Sequence, residues 1–381
     1  MLRLSDLDFA MLLAILRWPD DEVRREAILK AASAKVDWRR FIALVRRHRA
    51  GPIAIQGLRA AGAPVPDWLS AELDQTGAHA LFAEMAAVRE LGRLQTLLAQ
   101  QGVVPLVLKG PALSLRAFGQ LGLRLYRDLD LLISELELEA TCRALVEAGY
   151  DWVEPPANEM GGLARWRREH KDVVLRHRGS GLLVEIHWRL FDNIALMPAA
   201  SLGPSAKLGL APLEHVLVFS AWTEFHYLCL HGALHGWSRL RWLADVNALL
   251  AQVAPGDLMD VVRSSSGNVD PAIAQALILC RDLLGARLPS DVETAIAKSW
   301  RGGLLAKLAW REILRSGTEE LESGRFATTV KNFSHYAIVD NRHAFIEELR
   351  FDLTATPRLA AGARRSRVRL LDWTARHLSR G

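Results

Sequence analysis

Cysteine is scarce in this chain. Its 381 residues include three, Cys142, Cys229 and Cys280, far apart in the sequence and odd in number. That spacing offers neither a disulfide framework nor a zinc cluster, and a reducing compartment, the cytoplasm, is expected. Long apolar runs are missing as well. The most hydrophobic window, Val216 to Leu230, is interrupted by Thr223, Glu224 and His226 and falls short of the roughly 20 residues that a membrane span needs. It reads as a buried helix, and no membrane span is expected. The first residues carry acids early and lack a clean apolar signal core with a cleavage site, which argues against secretion. Internal repeats are absent. Lysine is sparse, so the net charge of +5 arises mostly from arginine, with Arg358, Arg364, Arg365, Arg367, Arg369, Arg376 and Arg380 crowded at the carboxyl end. Such a tail can hold an anionic partner such as a nucleic acid, although solvated arginine-bearing helices need no ligand.

What is present is an ordinary globular composition, 50% hydrophobic, long enough for two or three packed layers. From Ser5 to about Gln100 apolar residues recur at three and four, as in Phe41, Leu44 and Val45, and turns fall at Gly51-Pro52 and Gly62-Ala-Pro64. The texture changes at Val103, where a short β-rich run closes at Lys109-Gly110 and a helix is predicted from Pro111 to Phe118. A second strand is predicted over Arg127 to Ile133. Ser134 and Glu137 then form a capping box, and Leu138, Cys142, Leu145 and Val146 give the next helix an apolar face that ends at Gly149. Two further strands, Asp172 to His177 and Leu182 to Trp188, flank Arg178-Gly-Ser-Gly181, which is good hairpin chemistry. After Pro212 the helical period returns and persists, with breaks near Pro255-Gly256, Leu288-Pro289 and Thr356-Pro357. The fold class expected is α+β: a small mixed-sheet core over residues 101–200, between an amino-terminal helical lobe, residues 1–100, and a carboxyl-terminal helical region, residues 201–381.

Alternate side chains of a strand share a face, so Asp128 and Asp130 project together while Leu129, Leu131 and Ile133 point the other way. Two neighbouring carboxylates raise each other's pKa unless a cation or basic partners neutralise them. A hard divalent ion, Mg²⁺ or Mn²⁺, suits oxygen ligands. Taken alone, an Asp-Leu-Asp triplet is also what a half-exposed strand with acids in water looks like. Glu185 adds to the case: Val184 and Ile186 point to the core, and Glu185 and His187 share the opposite face, where a third acid can meet the pair. Lys109-Gly110 ends a strand and opens a helix, whose free N–H groups and dipole suit a phosphate. A plain tight turn is the other reading of the same dipeptide.

These motifs in this order carry a resemblance. Leu108-Lys-Gly-Pro-Ala-Leu113, Arg124 four residues before Asp128-Leu-Asp-Leu-Leu132, Glu185-Ile-His-Trp188, and His231-Gly-Ala-Leu-His235-Gly-Trp-Ser-Arg239-Leu-Arg-Trp-Leu-Ala-Asp245 resemble an uncharacterised bacterial nucleotidyltransferase family of the DNA polymerase β-like superfamily, over about Val103 to Leu250. The superfamily usually has a Gly-Ser pair before its Asp-x-Asp strand. Lys109-Gly110 stands there in this chain, so the serine contact to the triphosphate does not carry over and Lys109 is expected to supply charge instead. Phe118 stands where the family commonly has tyrosine.

The resemblance implies transfer of a nucleoside monophosphate from an NTP, ATP being expected, to a hydroxyl or similar group of a small-molecule, peptide or protein acceptor, with release of pyrophosphate. Asp128, Asp130 and Glu185 would be catalytic and would hold two Mg²⁺ or Mn²⁺ ions, Glu185 serving as metal ligand or as general base. Lys109, Gly110, Arg124, His187, His231, His235 and Arg239 would contact the nucleotide. His187 could instead bond the backbone beneath the site. His231 and His235, one turn apart, share a helix face, but the intervening Gly-Ala-Leu lacks the glutamate of a zinc hydrolase and no third ligand is evident. A polar helix closing the nucleotide pocket is the reading preferred, with Arg239 and Asp245 as pairing partners, while Trp237 and Trp242 read as packing residues. Two rivals remain: a transferase or toxin directed at tRNA or another nucleic acid, and a nucleotide-binding regulator without turnover.

Overall fold

The computed structural model describes residues 6–126, 128–155, 163–253, 258–263, 269–318, 333–339 and 341–354. The arginine-rich tail and the breaks expected near residues 255 and 356 lie outside them.

Along the chain come helices α1 (Leu7–Leu16), α2 (Glu22–Ala32), α3 (Trp38–Arg47), α4 (Gly51–Ala60) and α5 (Asp67–Ala99), then β1 (Leu106–Val107), α6 (Gly110–Phe118) and β2 (Asp128–Leu132). Next are α7 (Leu138–Glu147), β3 (Tyr150–Glu154), α8 (Leu163–Glu169), β4 (Asp172–His177), β5 (Leu183–His187), β6 (Ala206–Leu210) and β7 (Leu213–Val218). Helices α9 (Ala221–Leu234), α10 (Leu240–Leu250), α11 (Leu258–Val262), α12 (Pro271–Leu284), α13 (Ser290–Lys298) and α14 (Trp300–Ser316) follow, and a helix at Arg342–Thr354 ends the described residues. The chain divides into two compact units: Met1–Ala86 with Leu113–Leu125 and Glu224–Asp340, and Ala87–Ala112 with Tyr126–Thr223 and Asn341–Gly381.

The first unit is helical. Aspartates at the N-caps start its early helices, Asp6, Asp21 and Asp37 each accepting from backbone N–H groups of the first turn and so satisfying donors that have no partner within the helix. Helix α12 begins with an Asp270 cap and Pro271 and ends at left-handed Gly285, the usual asymmetry of helix ends. Its Ile273, Ala276, Leu277 and Cys280 are buried. A side chain on Gly302 of α14 would meet the Ala274 methyl at 2.6 Å, so glycine is what lets α12 and α14 approach this closely.

The second unit holds the sheet, seven strands in the order β3-β4-β5-β2-β1-β7-β6. β2 runs parallel to β5 and β1 parallel to β7, and the other neighbours are antiparallel. The fold is α+β, with a mixed sheet and flanking helices, as the sequence predicts. The capping box closes as expected, the Glu137 carboxylate accepting from the Ser134 N–H at 2.8 Å, and β4 and β5 form the expected hairpin, with Gly181 at a φ of +72° in its turn. One expectation is overturned. The window Val216–Leu230, read as one buried helix within a helical stretch after Pro212, opens as the end of β7, and α9 starts at Ala221. Val216 and Val218 are buried, and β7 gains its ladder from β1 and β6, partners that no local pattern reveals.

Candidate metal and nucleotide site

In β2, Leu129 and Leu131 are fully buried on one face and Asp130, 5% exposed, lies on the other. The parallel register sets Asp130 directly beside Glu185 of β5, with Asp128 opposite Leu183 two residues earlier. The antiparallel β4–β5 ladder adds a third strand to the same patch, for Asp172 is the cross-strand partner of His187. On the other side of β2, the Leu108 N–H donates to the Asp130 carbonyl at 3.0 Å. This bond fixes the end of β1, so the next residue, Lys109, brings its Nζ to 3.9 Å from Asp130 Oδ1. Gly110 then starts α6 with a φ of +61°, a backbone that disfavours any residue with a Cβ.

The focus of the patch is His187, 1% exposed, whose Nε2 lies 3.3 Å from Asp130 Oδ1 and 3.4 Å from Glu185 Oε2. Its other ring nitrogen, Nδ1, is buried without a hydrogen-bond partner among the described residues, and the Asp172 carboxylate stands 3.9 Å from it. Asp172 is in turn paired with the Lys171 ammonium. Glu185 is 24% exposed and so forms the solvent side of the group.

Burial alone would raise the Asp130 carboxyl. The Lys109 ammonium, the hydrogen bond and charge of His187, and Lys171 outweigh it and hold Asp130 well below the ordinary aspartate value. For His187, burial and Lys171 both disfavour the proton, yet the bonds to Asp130 and Glu185 and the charge of Asp172 prevail, so its pKa is raised. The negative charge of Asp130 is therefore already balanced by basic neighbours. Repulsion between carboxylates does not by itself demand a metal here, and the case for one rests on the geometry of the donors.

That geometry fits. One oxygen each from Asp130 and Glu185 and one ring nitrogen from His187 all lie within 4.8 Å of one another, and two of the three residues are buried. Asp128 shares the strand face of Asp130 but is not part of this set.

Four residues expected at the nucleotide belong to the first unit. Arg124 is bound in a buried fork to Asp245, Nε to Oδ1 at 2.8 Å and Nη2 to Oδ2 at 2.9 Å. His231 and His235 pack ring to ring at 4.6 Å and both lie against Trp242, at 5.1 and 5.2 Å, with the Arg239 guanidinium 5.8 Å from the Trp242 ring centre. Trp237 is fully buried and packs on Gly232. Asp172 and Lys171 were not singled out from the sequence. The hairpin turn held the clue to Asp172, because a turn centred between Gly179 and Ser180 pairs residue 172 with residue 187.

Among the described residues no helix is long and apolar enough to cross a membrane. Comparison with curated proteins finds no match. A family model described as an uncharacterised nucleotidyltransferase matches residues 34–285, more than half of the chain and all of the patch just described. The chain belongs to this uncharacterised nucleotidyltransferase family.

Proposed function

We propose that this chain is a metal-dependent nucleotidyltransferase that moves a nucleoside monophosphate from an NTP, ATP by preference, to a hydroxyl of a small-molecule, peptide or protein acceptor and releases pyrophosphate. The observation that carries the reading is the meeting of Asp130, Glu185 and His187 within 4.8 Å inside the span matched by the nucleotidyltransferase family. The order of motifs resembles that of a DNA polymerase β-like enzyme, and the three buried thiols, Cys142, Cys229 and Cys280, suit a reducing cytoplasm.

In this reading Asp130 and Glu185 hold the metal, and Asp128, on the same face, takes part in holding a second ion. A divalent ion bound there supplies the positive charge that acidifies the acceptor hydroxyl and stabilises the departing pyrophosphate. Lys109, at the mouth of α6, takes a phosphate oxygen in place of a serine contact, helped by the N–H groups that open the helix. Glu185, the more exposed of the two carboxylates, would alternatively accept the hydroxyl proton as general base. Arg124 serves by pairing with Asp245.

The test is to incubate the pure protein with each NTP, labelled at the α-phosphate, with Mg²⁺ or Mn²⁺ and fractions of a bacterial lysate. Label transferred to an acceptor with equimolar pyrophosphate supports the reading. Label confined to tRNA favours a nucleic-acid acceptor. NTP binding with neither transfer nor pyrophosphate in any fraction favours a regulator without turnover.

A further inference from the structure

The resemblance leads one to expect an all-oxygen metal site, and His187 does not fit that expectation. We infer that His187 is itself a metal ligand through Nε2, that Asp172 is the positioning residue that turns its ring, and that the mixed nitrogen and oxygen site takes Mn²⁺ in preference to Mg²⁺. This builds on the metal site of the proposed function but not on the reaction.

The spacing of the donors supports it. Two ligands each about 2.1 Å from a metal ion stand about 3.0 Å apart at a right angle and about 3.4 Å apart at the tetrahedral angle. His187 Nε2 lies 3.3 Å from the Asp130 oxygen and 3.4 Å from the Glu185 oxygen, so it sits at ligand spacing from both carboxylates at once.

The other side of the ring supports it too. An imidazole that gives Nε2 to a metal carries its proton on Nδ1, and ligating histidines almost always donate that proton to a carboxylate, a carbonyl or water. His187 Nδ1 is buried and lacks a hydrogen-bond partner among the described residues, a costly state for a polar atom. The Asp172 carboxylate is 3.9 Å away, on the facing residue of the adjacent strand, and 1% exposed. A small turn of the imidazole toward β4 closes that gap into a hydrogen bond. Lys171 pairs with the same Asp172 oxygen that faces His187, so the acceptor is itself anchored.

The metal preference follows from the donor types. Mg²⁺ favours oxygen ligands throughout, whereas imidazole suits the later divalent ions, and affinity at a given nitrogen-containing site rises from Mn²⁺ onward along the first transition row. Mn²⁺ shares the oxygen preference of Mg²⁺ and opens that row, so one nitrogen donor among oxygens tips the choice from Mg²⁺ toward it.

The experiment is pulsed electron paramagnetic resonance of Mn²⁺ added to the full-length protein, with Mn²⁺ and Mg²⁺ affinities measured by calorimetry. Wild type is expected to show ¹⁴N coupling from a directly bound imidazole, and that coupling should vanish in His187→Gln. Asp172→Asn should weaken Mn²⁺ binding about 10- to 100-fold, as loss of an outer partner does, with Asp172→Glu restoring part of it. A structural role alone would not move the nitrogen signal. Mn²⁺ bound by wild type without nitrogen coupling overturns the proposal, and this readout needs no variant to fold. Coupling that survives in His187→Gln overturns it as well. Nitrogen coupling without nucleotidyl transfer would leave this inference standing and remove the proposed reaction, while transfer without nitrogen coupling would do the reverse.

Discussion

Asp130 and Glu185 stand directly opposite each other across the parallel pair β2 and β5, and each sends a carboxylate oxygen to the same ring nitrogen of His187. Residues 55 and 57 positions apart are thereby joined by strand register rather than by any loop. A one-residue slip of β5 would bury Glu185 where Val184 and Ile186 now pack and destroy the site.

Lys109 is the first test of how the patch meets a nucleotide. Its Nζ lies 3.9 Å from Asp130, so it balances that carboxylate, and in the proposed function it also offers charge to a phosphate. Lys109→Gln is expected to lower kcat/KM for the NTP about 100-fold, the usual scale for loss of one preorganised charge contact, in steady-state kinetics. An unchanged kcat/KM would reduce Lys109 to a counter-charge of Asp130.

Gly110 separates backbone conformation from space. A methyl group at this position would reach only ordinary contact with Leu129, at 3.6 Å, but the φ of +61° is costly for any residue with a Cβ. Gly110→Ala should cost about 1–2 kcal/mol of stability in chemical denaturation, and its transfer rate should fall as well because Lys109 is its neighbour. A variant as stable as wild type would show that the turn relaxes freely.

Both partners of the fork between Arg124 and Asp245 are almost wholly buried. Removing one strands the other charge away from water, so Asp245→Ala is expected to cost about 3–5 kcal/mol. The double variant Arg124→Met with Asp245→Leu should recover most of that loss. Equal destabilisation of the single and double variants would contradict this account of the pair.

Acid sensitivity is expected at the amino end. Asp6 caps α1 and is bound by Arg40 of α3. That bond, helped by the charge of Arg40 and by the N–H groups of Phe9 and Asp8, outweighs burial and lowers the Asp6 pKa below its ordinary 3.8. Its contribution to stability is therefore complete above about pH 4 and is lost as the pH falls through the lowered value. The melting-temperature gap between wild type and Asp6→Asn should be widest near neutrality and close in acid. A gap independent of pH would contradict a contribution that depends on the Asp6 charge.

Much of this was legible in the sequence wherever local chemistry decides. The alternation in Asp128–Leu132 and Leu183–His187 assigns faces, the Gly-rich turn before β5 pairs it with β4, and Lys109-Gly110 marks the start of a helix. Pairings across long separations were not legible. β7 reads like the start of a helix because a short apolar run has no period of its own, and its parallel contact with β1, Leu106 beside Leu217, exists only in the folded chain. Arg124 is expected at the nucleotide, and nothing near it in sequence announces Asp245 as its partner. Asp172 looked like an ordinary strand start, although the hairpin register placed it opposite His187.

The most direct measurement of the central claim compares wild type with Asp130→Asn, folded alike by circular dichroism, for transfer of the α-phosphate label from NTP to the acceptor in the presence of Mn²⁺ or Mg²⁺. The account predicts at least a 1,000-fold loss of transfer in the variant, on the order expected when a metal-held electrostatic centre is removed, and the same loss when wild type is stripped of metal. Transfer that persists unchanged in Asp130→Asn, or in the presence of excess chelator, would contradict it.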